Sequence, residues 1–126
     1  MNVVDSCGWL EYFAAGPNAD FFAPALEAPA KLIVPTISVY EVFKRVLQQR
    51  GDSDALQAIA LMQQGAVVDL TPPIALQAAR TSVALGLPMA DSIMLATARS
   101  FEAALWTQDS DFEGIDGVRY IALQSV

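Results

Sequence analysis

The chain of 126 residues contains no histidine and one cysteine, Cys7. Without histidine there can be no Ser-His-Asp or Cys-His catalysis, no imidazole acid/base pair and no histidine-ligated zinc. One cysteine excludes an intrachain disulfide and any Cys-x-x-Cys metal site, and Cys7 itself reads as a small buried residue. Neither glycine-rich nucleotide-phosphate motif, G-x-G-x-x-G or G-x-x-x-x-G-K-[ST], occurs. Positive charge is also scarce. Seven Lys and Arg against fourteen Asp and Glu give a net charge of −7, which argues against broad, non-specific binding of nucleic acid. It does not exclude a nucleic-acid enzyme, because bound cations can neutralise a local acidic site. The longest uncharged run, Ala55 to Val68, is 14 residues, short of the roughly 20 that a membrane span needs. The opening MNVVDSCGW has neither a basic stretch nor a long apolar core, so no secretory leader is expected and the cytoplasm is the expected compartment. Any chemistry must fall to carboxylates.

What the chain has in excess is apolar surface. Hydrophobic residues make up 54% and charged residues 17%, below the usual quarter, which favours an oligomer or a tight partner over a solitary monomer. Short solid apolar runs alternate with helical periodicity. Strands are expected at Asn2 to Asp5, 31–35, 66–70, 104–107 and 118–123. Helices are expected at Ser6 to Ala14, 18–27 with Asn18 as cap, 36–49 with Thr36 as cap, Ser53 to Gln64, 72–85 and Met89 to Glu102. Non-alternating strands separated by helices imply an α/β fold, a mainly parallel sheet of four to five strands with helices on both faces. No repeat, linker or low-complexity stretch interrupts 1–126, so one domain is expected.

In such a fold, sites form at the carboxyl edge of the strands. Asp5 ends the first strand, and Asp109 and Asp111 follow strand 104–107. Asp91 opens the helix leading into that strand, and Glu41 lies in the second turn of the helix after strand 31–35. Each acid has an ordinary alternative. Asp5 can cap a helix, Asp91 can complement a helix dipole for about 0.3–1 kcal/mol, Asp109 and Asp111 can form a turn, and Glu41 can be solvated. Taken together, four segments deliver acids to one rim, where their mutual repulsion calls for a cation. Mg²⁺ or Mn²⁺ suits such oxygen ligands. Lys44, Arg45, Arg50, Arg80 and Arg99 read more readily as solvated helix faces than as an RNA grip. Trp9, Phe13, Phe43 and Trp106 read as core rather than as base-stacking platforms.

The stretches "VVDSCGWLEYF", "PTISVYEVFKR", "PMADSIMLATA" and "LWTQDSDFEGI", in this order, resemble the PIN-domain family, and within it VapC-type toxins. The resemblance implies a PIN-like three-layer fold and a Mg²⁺- or Mn²⁺-dependent endoribonuclease acting on structured RNA such as transfer or ribosomal RNA. It also implies a cognate antitoxin and a homodimer. By motif, Asp5, Glu41, Asp91 and Asp109 match the catalytic acids, with Asp5, Asp91 and Asp109 as metal ligands. Asp111, Thr107 and Ser6 match supporting positions. An antitoxin would set an arginine against the acids and lay apolar residues along a groove by Trp9, Phe13 and Phe22. Two other readings keep the fold: an inactive PIN-like interaction module, and Mg²⁺-dependent aspartyl phosphotransfer. The latter fits less well: where a phosphatase has D-x-D the chain offers only Asp5-Ser6-Cys7, and where a receiver has a lysine Arg119 is the only basic residue after Arg99.

Overall fold

The computed structural model describes residues 1–124. Five strands, β1 (Asn2–Val4), β2 (Leu32–Pro35), β3 (Ala66–Val68), β4 (Ala104–Thr107) and β5 (Val118–Tyr120), form one sheet in the order β3-β2-β1-β4-β5. Every pairing is parallel. The helices are α1 (Ser6–Phe13), α2 (Ala19–Leu26), α3 (Thr36–Arg50), α4 (Asp52–Met62), α5 (Pro72–Leu85) and α6 (Met89–Ser100). This is the α/β architecture expected from the alternation of elements, with five strands.

The pleat sorts neighbouring residues to opposite faces. Val4, Leu32, Val34 and Trp106 join Trp9, Phe22, Val42 and Met62 in a core under α1 to α4. Val3, Ile33 and Leu105 join Met94, Leu95 and Phe112 in a second core under α6. The three central strands are therefore covered on both sides, which explains their unbroken apolar runs. Val67 on edge strand β3 is 42% exposed. Trp9 and Trp106 are core residues as expected, and Phe13 and Phe43 pack at the core's margin.

α6 is the central helix, with Ser92 through Ala98 buried without interruption. Its hydroxyls are satisfied locally: Ser92 donates to the Met89 carbonyl and Thr97 to the Ile93 carbonyl. Burying Met94 and Leu95 contributes roughly 1.5–3 kcal/mol each. This packing fixes where the first turn of α6, with Asp91, must stand.

Of the two expected caps, Asn18 holds the N-cap position of α2 and Thr36 does not hold that of α3. The Asn18 side chain makes no capping bond to α2. It is buried and reaches across to the segments after β4 and β5. Thr36 lies inside α3, whose N-cap is Pro35, and its hydroxyl donates to the Val68 carbonyl at 2.9 Å. Among the described residues, no single helix is long and apolar enough to cross a membrane.

Candidate metal centre

β1 and β4 are neighbours, yet the chain leaves them toward opposite faces. After β1 it enters α1, packed on one core through Trp9; after β4 it enters a 3-10 turn (Ser110–Phe112), packed on the other through Phe112. The strand order thus reverses between β1 and β4, opening the crevice where ligands of parallel α/β sheets bind. Asp5 stands at the end of β1 and Asp109 just beyond β4. The first turn of α6 brings Asp91 to the same place. One oxygen from each of Asp5, Asp91 and Asp109 lies within 4.8 Å of the others.

The cluster is built into the backbone. Asp5 caps α1, its Oδ1 accepting from the Ser6 N–H at 2.8 Å. Its Oδ2 accepts from the Thr107 hydroxyl at 2.8 Å and from the Cys7 thiol at 3.4 Å. The Thr107 oxygen in turn accepts from the Asp109 N–H at 3.0 Å. Asp109 caps the 3-10 turn, its Oδ1 accepting from the Asp111 N–H at 2.9 Å. Asp111 is itself exposed, so Asp109 rather than Asp111 supplies the third carboxylate of the cluster. Glu41 is half-buried on α3, and its Oε1 accepts from the Ser6 hydroxyl at 2.7 Å. It stands beside the three acids rather than among them.

The electrostatics are those of an under-compensated anionic site. Burial pushes the Asp5 carboxyl up from its ordinary value; bonds from Thr107, Cys7 and Ser6 oppose the rise, and the charge of Asp109 adds to it. Asp91 is pushed up to about 7, first by desolvation and then by Asp5, Asp109, Asp111 and Glu41. Burial and the Asp5 charge carry the Cys7 thiol up to about 12, so it stays protonated and acts as a donor. Three hard oxygen donors lie close together, and among the described residues no basic side chain perturbs Asp5 or Asp91, which fits a divalent cation of the Mg²⁺ or Mn²⁺ type.

Three of the basic residues are engaged elsewhere. Lys44 lies over the Tyr40 ring, Arg99 donates to the Asp116 carbonyl, and Arg119 lies 4.8 Å from the Trp106 ring centre. Sequence reasoning missed the thiol bond of Cys7 and the buried tether between Asn18 and Gln108. Position two after Asp5, in the first turn of α1, was the available signal for Cys7. None marked Asn18.

The model of the PIN domain matches residues 3–118. The chain belongs to the PIN domain family. No curated protein matches it in sequence. Among solved structures, it is similar to a toxin–antitoxin complex from Klebsiella pneumoniae, at 25% identity and a TM-score of 0.79, over 94% of this chain and 96% of that one. It is also similar to VapC20 of Mycobacterium tuberculosis, a toxin that cleaves the sarcin–ricin loop, at 17% identity and a TM-score of 0.75 over 92% and 95%. A DNA-bound VapBC from Salmonella typhimurium shares 14% identity and a TM-score of 0.74 over 97% and 98%. The VapC-type PIN fold expected from the motifs is therefore the fold observed.

Proposed function

We propose that the protein is a Mg²⁺- or Mn²⁺-dependent endoribonuclease that cleaves structured RNA of the transfer or ribosomal kind, and that it is the toxin of a toxin–antitoxin pair. The observation that carries this reading is the convergence of Asp5, Asp91 and Asp109 within 4.8 Å at the β1/β4 crevice of a PIN fold. The reading takes 1–126 as one domain acting in the cytoplasm; Ser125 and Val126 lie outside the described residues.

In this reading Asp5, Asp91 and Asp109 hold the cation. When bound, it supplies positive charge against the phosphate and makes water more acidic. Thr107 keeps Asp5 and the Asp109 backbone in register through two of its hydrogen bonds. Ser6 holds Oε1 of Glu41, which leaves Oε2 to accept the proton of the attacking water. The water oxygen adds to phosphorus in line with the leaving oxygen, the P–O bond breaks, and the leaving oxygen takes its proton from solvent. With no histidine in the chain, neither proton transfer can use imidazole. An aspartyl phosphotransfer reading would want a lysine near the last strand; the chain has Arg119 there, and it lies over the Trp106 ring.

Two partners belong to the reading. A second copy is supported by the outer face of α5, where Leu76, Ala79 and Val83 recur at helical spacing and Val83 is 88% exposed. An antitoxin is supported by the similar structures that are toxin–antitoxin complexes. Its apolar residues would lie in the 250 Å³ groove of Leu10, Phe13, Val46, Ala58 and Leu61. The groove expected beside Trp9 and Phe22 is corrected here, because both side chains are buried in the core.

The test is incubation of purified protein with transfer and ribosomal RNA in Mn²⁺ or Mg²⁺, against chelator. Discrete cut sites that need the cation and vanish in Asp91→Asn are expected. Intact RNA under every cation, from folded protein, would overturn the reading.

A further inference from the structure

Adjoining the acids, on the Asp109 side, lies a pocket of about 330 Å³ lined by Cys7, Gln108, Asp109, Ser110, Tyr120 and Leu123. Its size is within the range of small-ligand sites. No basic side chain lines it and a carboxylate borders it, so a phosphate is disfavoured there and a neutral planar group fits. The Tyr120 ring offers a stacking surface.

The polarity of Gln108 in this pocket is determined by a chain of hydrogen bonds. The Ala122 carbonyl can only accept, so the Asn18 atom 3.0 Å from it is the amide nitrogen. That same nitrogen lies 2.9 Å from the Gln108 amide, which must therefore turn its oxygen inward to accept. Asn18 is 2% exposed and cannot swing away into solvent. Gln108 is half-buried, and among the described residues its Nε2 has no hydrogen-bond partner. Gln108 lines the pocket with its oxygen already engaged, so the hydrogen-bonding group it has left to offer is a donor.

We propose that this pocket is a nucleobase subsite next to the scissile phosphate, in which Gln108, held by Asn18, selects keto bases over amino bases. The inference rests on the ribonuclease reading. A fixed donor pairs with the carbonyl oxygen of guanine or uracil and meets a competing amino group in adenine or cytosine at the corresponding position. Gln108 is thus a specificity residue, and Asn18 a positioning residue that sets its polarity.

Gln108→Glu tests this directly. A glutamate oxygen can still accept from Asn18, while the pocket end changes from donor to acceptor. Its added charge acts on all substrates alike, so the informative quantity is the ratio of kcat/KM among RNAs that differ in one base beside the cut. Wild type should favour guanine or uracil by about tenfold, and Gln108→Glu should erase or reverse that ratio. A second measurement leaves Gln108 in place. In Asp91→Asn protein, which should not turn RNA over, the ¹⁵N side-chain amide of Gln108 should shift with oligouridylate and much less with oligocytidylate. A cleaving wild type whose base ratio is unchanged in Gln108→Glu, with an unmoved amide, would overturn the subsite and leave the ribonuclease reading standing. A folded wild type that neither binds nor cuts RNA would overturn both.

Discussion

The Thr107 hydroxyl donates to Oδ2 of Asp5 at 2.8 Å, from the strand next to the one that Asp5 ends. The Thr107 hydroxyl oxygen itself accepts the backbone N–H of Asp109 at 3.0 Å. One fully buried hydroxyl thus ties together two of the three clustered carboxylate residues. Thr107→Val preserves the shape and removes both bonds, leaving Asp5 Oδ2 with only the Cys7 thiol and the Asp109 N–H without its acceptor. The expected cost is about 1–3 kcal/mol in denaturant unfolding. Because this bond is the largest influence lowering the Asp5 pKa, its loss should also weaken Mn²⁺ binding, and activity should fall about 10–100-fold. Thr107→Ser, which restores the oxygen, should recover most of both. A Thr107→Val protein with native cation affinity would remove this role.

Asp91 sets a pH dependence whose sign can be worked out. Its folded pKa of about 7 exceeds the ordinary 3.8, so between these values the folded state holds a proton that the unfolded chain has released. Stability of the metal-free protein should therefore fall as pH rises from about 4 to about 7. Cation binding needs the ionised carboxyl, so Mn²⁺ affinity should weaken below pH 7 and saturating Mn²⁺ should reverse the slope. Asp91→Asn removes the charge that the site repels. Its metal-free unfolding temperature at pH 8 should rise while RNA cleavage drops by at least about 100-fold. Thermal scans across pH, in chelator and in Mn²⁺, would check both; a flat metal-free profile would contradict the assignment.

How much of this was legible beforehand follows from the range of each interaction. The strands could be read because β1, β2 and β4 are buried on both faces and so carry unbroken apolar runs. The rim of acids could be read because, in a parallel sheet, every strand delivers its end to the same edge. Asn18 and Thr36 were read as caps, the local choice for those residue types, yet both bond to partners distant in the chain. Asn18 meets Gln108, and Thr36 meets Val68. Nothing in a one-dimensional pattern reports such pairs. The groove was misplaced for a similar reason: Phe22 reads like any aromatic on an amphipathic helix, and only the close passage of α1 over it shows why it is enclosed.

That close passage depends on Gly8. A β-carbon there would lie 2.6 Å from both a Phe22 ring carbon and a Val4 methyl. Phe22 and Val4 are fully buried, so neither can yield without disturbing the core. Gly8→Ala should destabilise by about 1–3 kcal/mol through overpacking. It should also push α1 outward, and α1 carries Ser6 and is capped by Asp5, so cation affinity should decline along with stability. Unfolding and Mn²⁺ titration on the same preparation would show this. Unchanged stability would mean that α1 and α2 are less tightly seated than the distances indicate.

The acids themselves set how a partner could silence them. A carboxylate cluster that holds Asp91 protonated up to about pH 7 is relieved either by a cation or by a fixed guanidinium. The two cannot fully occupy the same oxygens. An antitoxin that places an arginine at Asp5, Asp91 and Asp109 should therefore compete with Mn²⁺, its apparent Kd rising in proportion to cation concentration once the site is saturated. Neutralising Asp91 should weaken the partner while leaving the contribution of the Leu10 and Phe13 groove untouched, so affinity should fall without vanishing. Substituting Leu61, on the rim of that groove, should weaken the partner without introducing any cation dependence. Calorimetric titration of the partner across a Mn²⁺ series separates the two contributions. A Kd that ignores both Mn²⁺ and Asp91→Asn would show that inhibition acts through the groove alone, with no guanidinium at the acids.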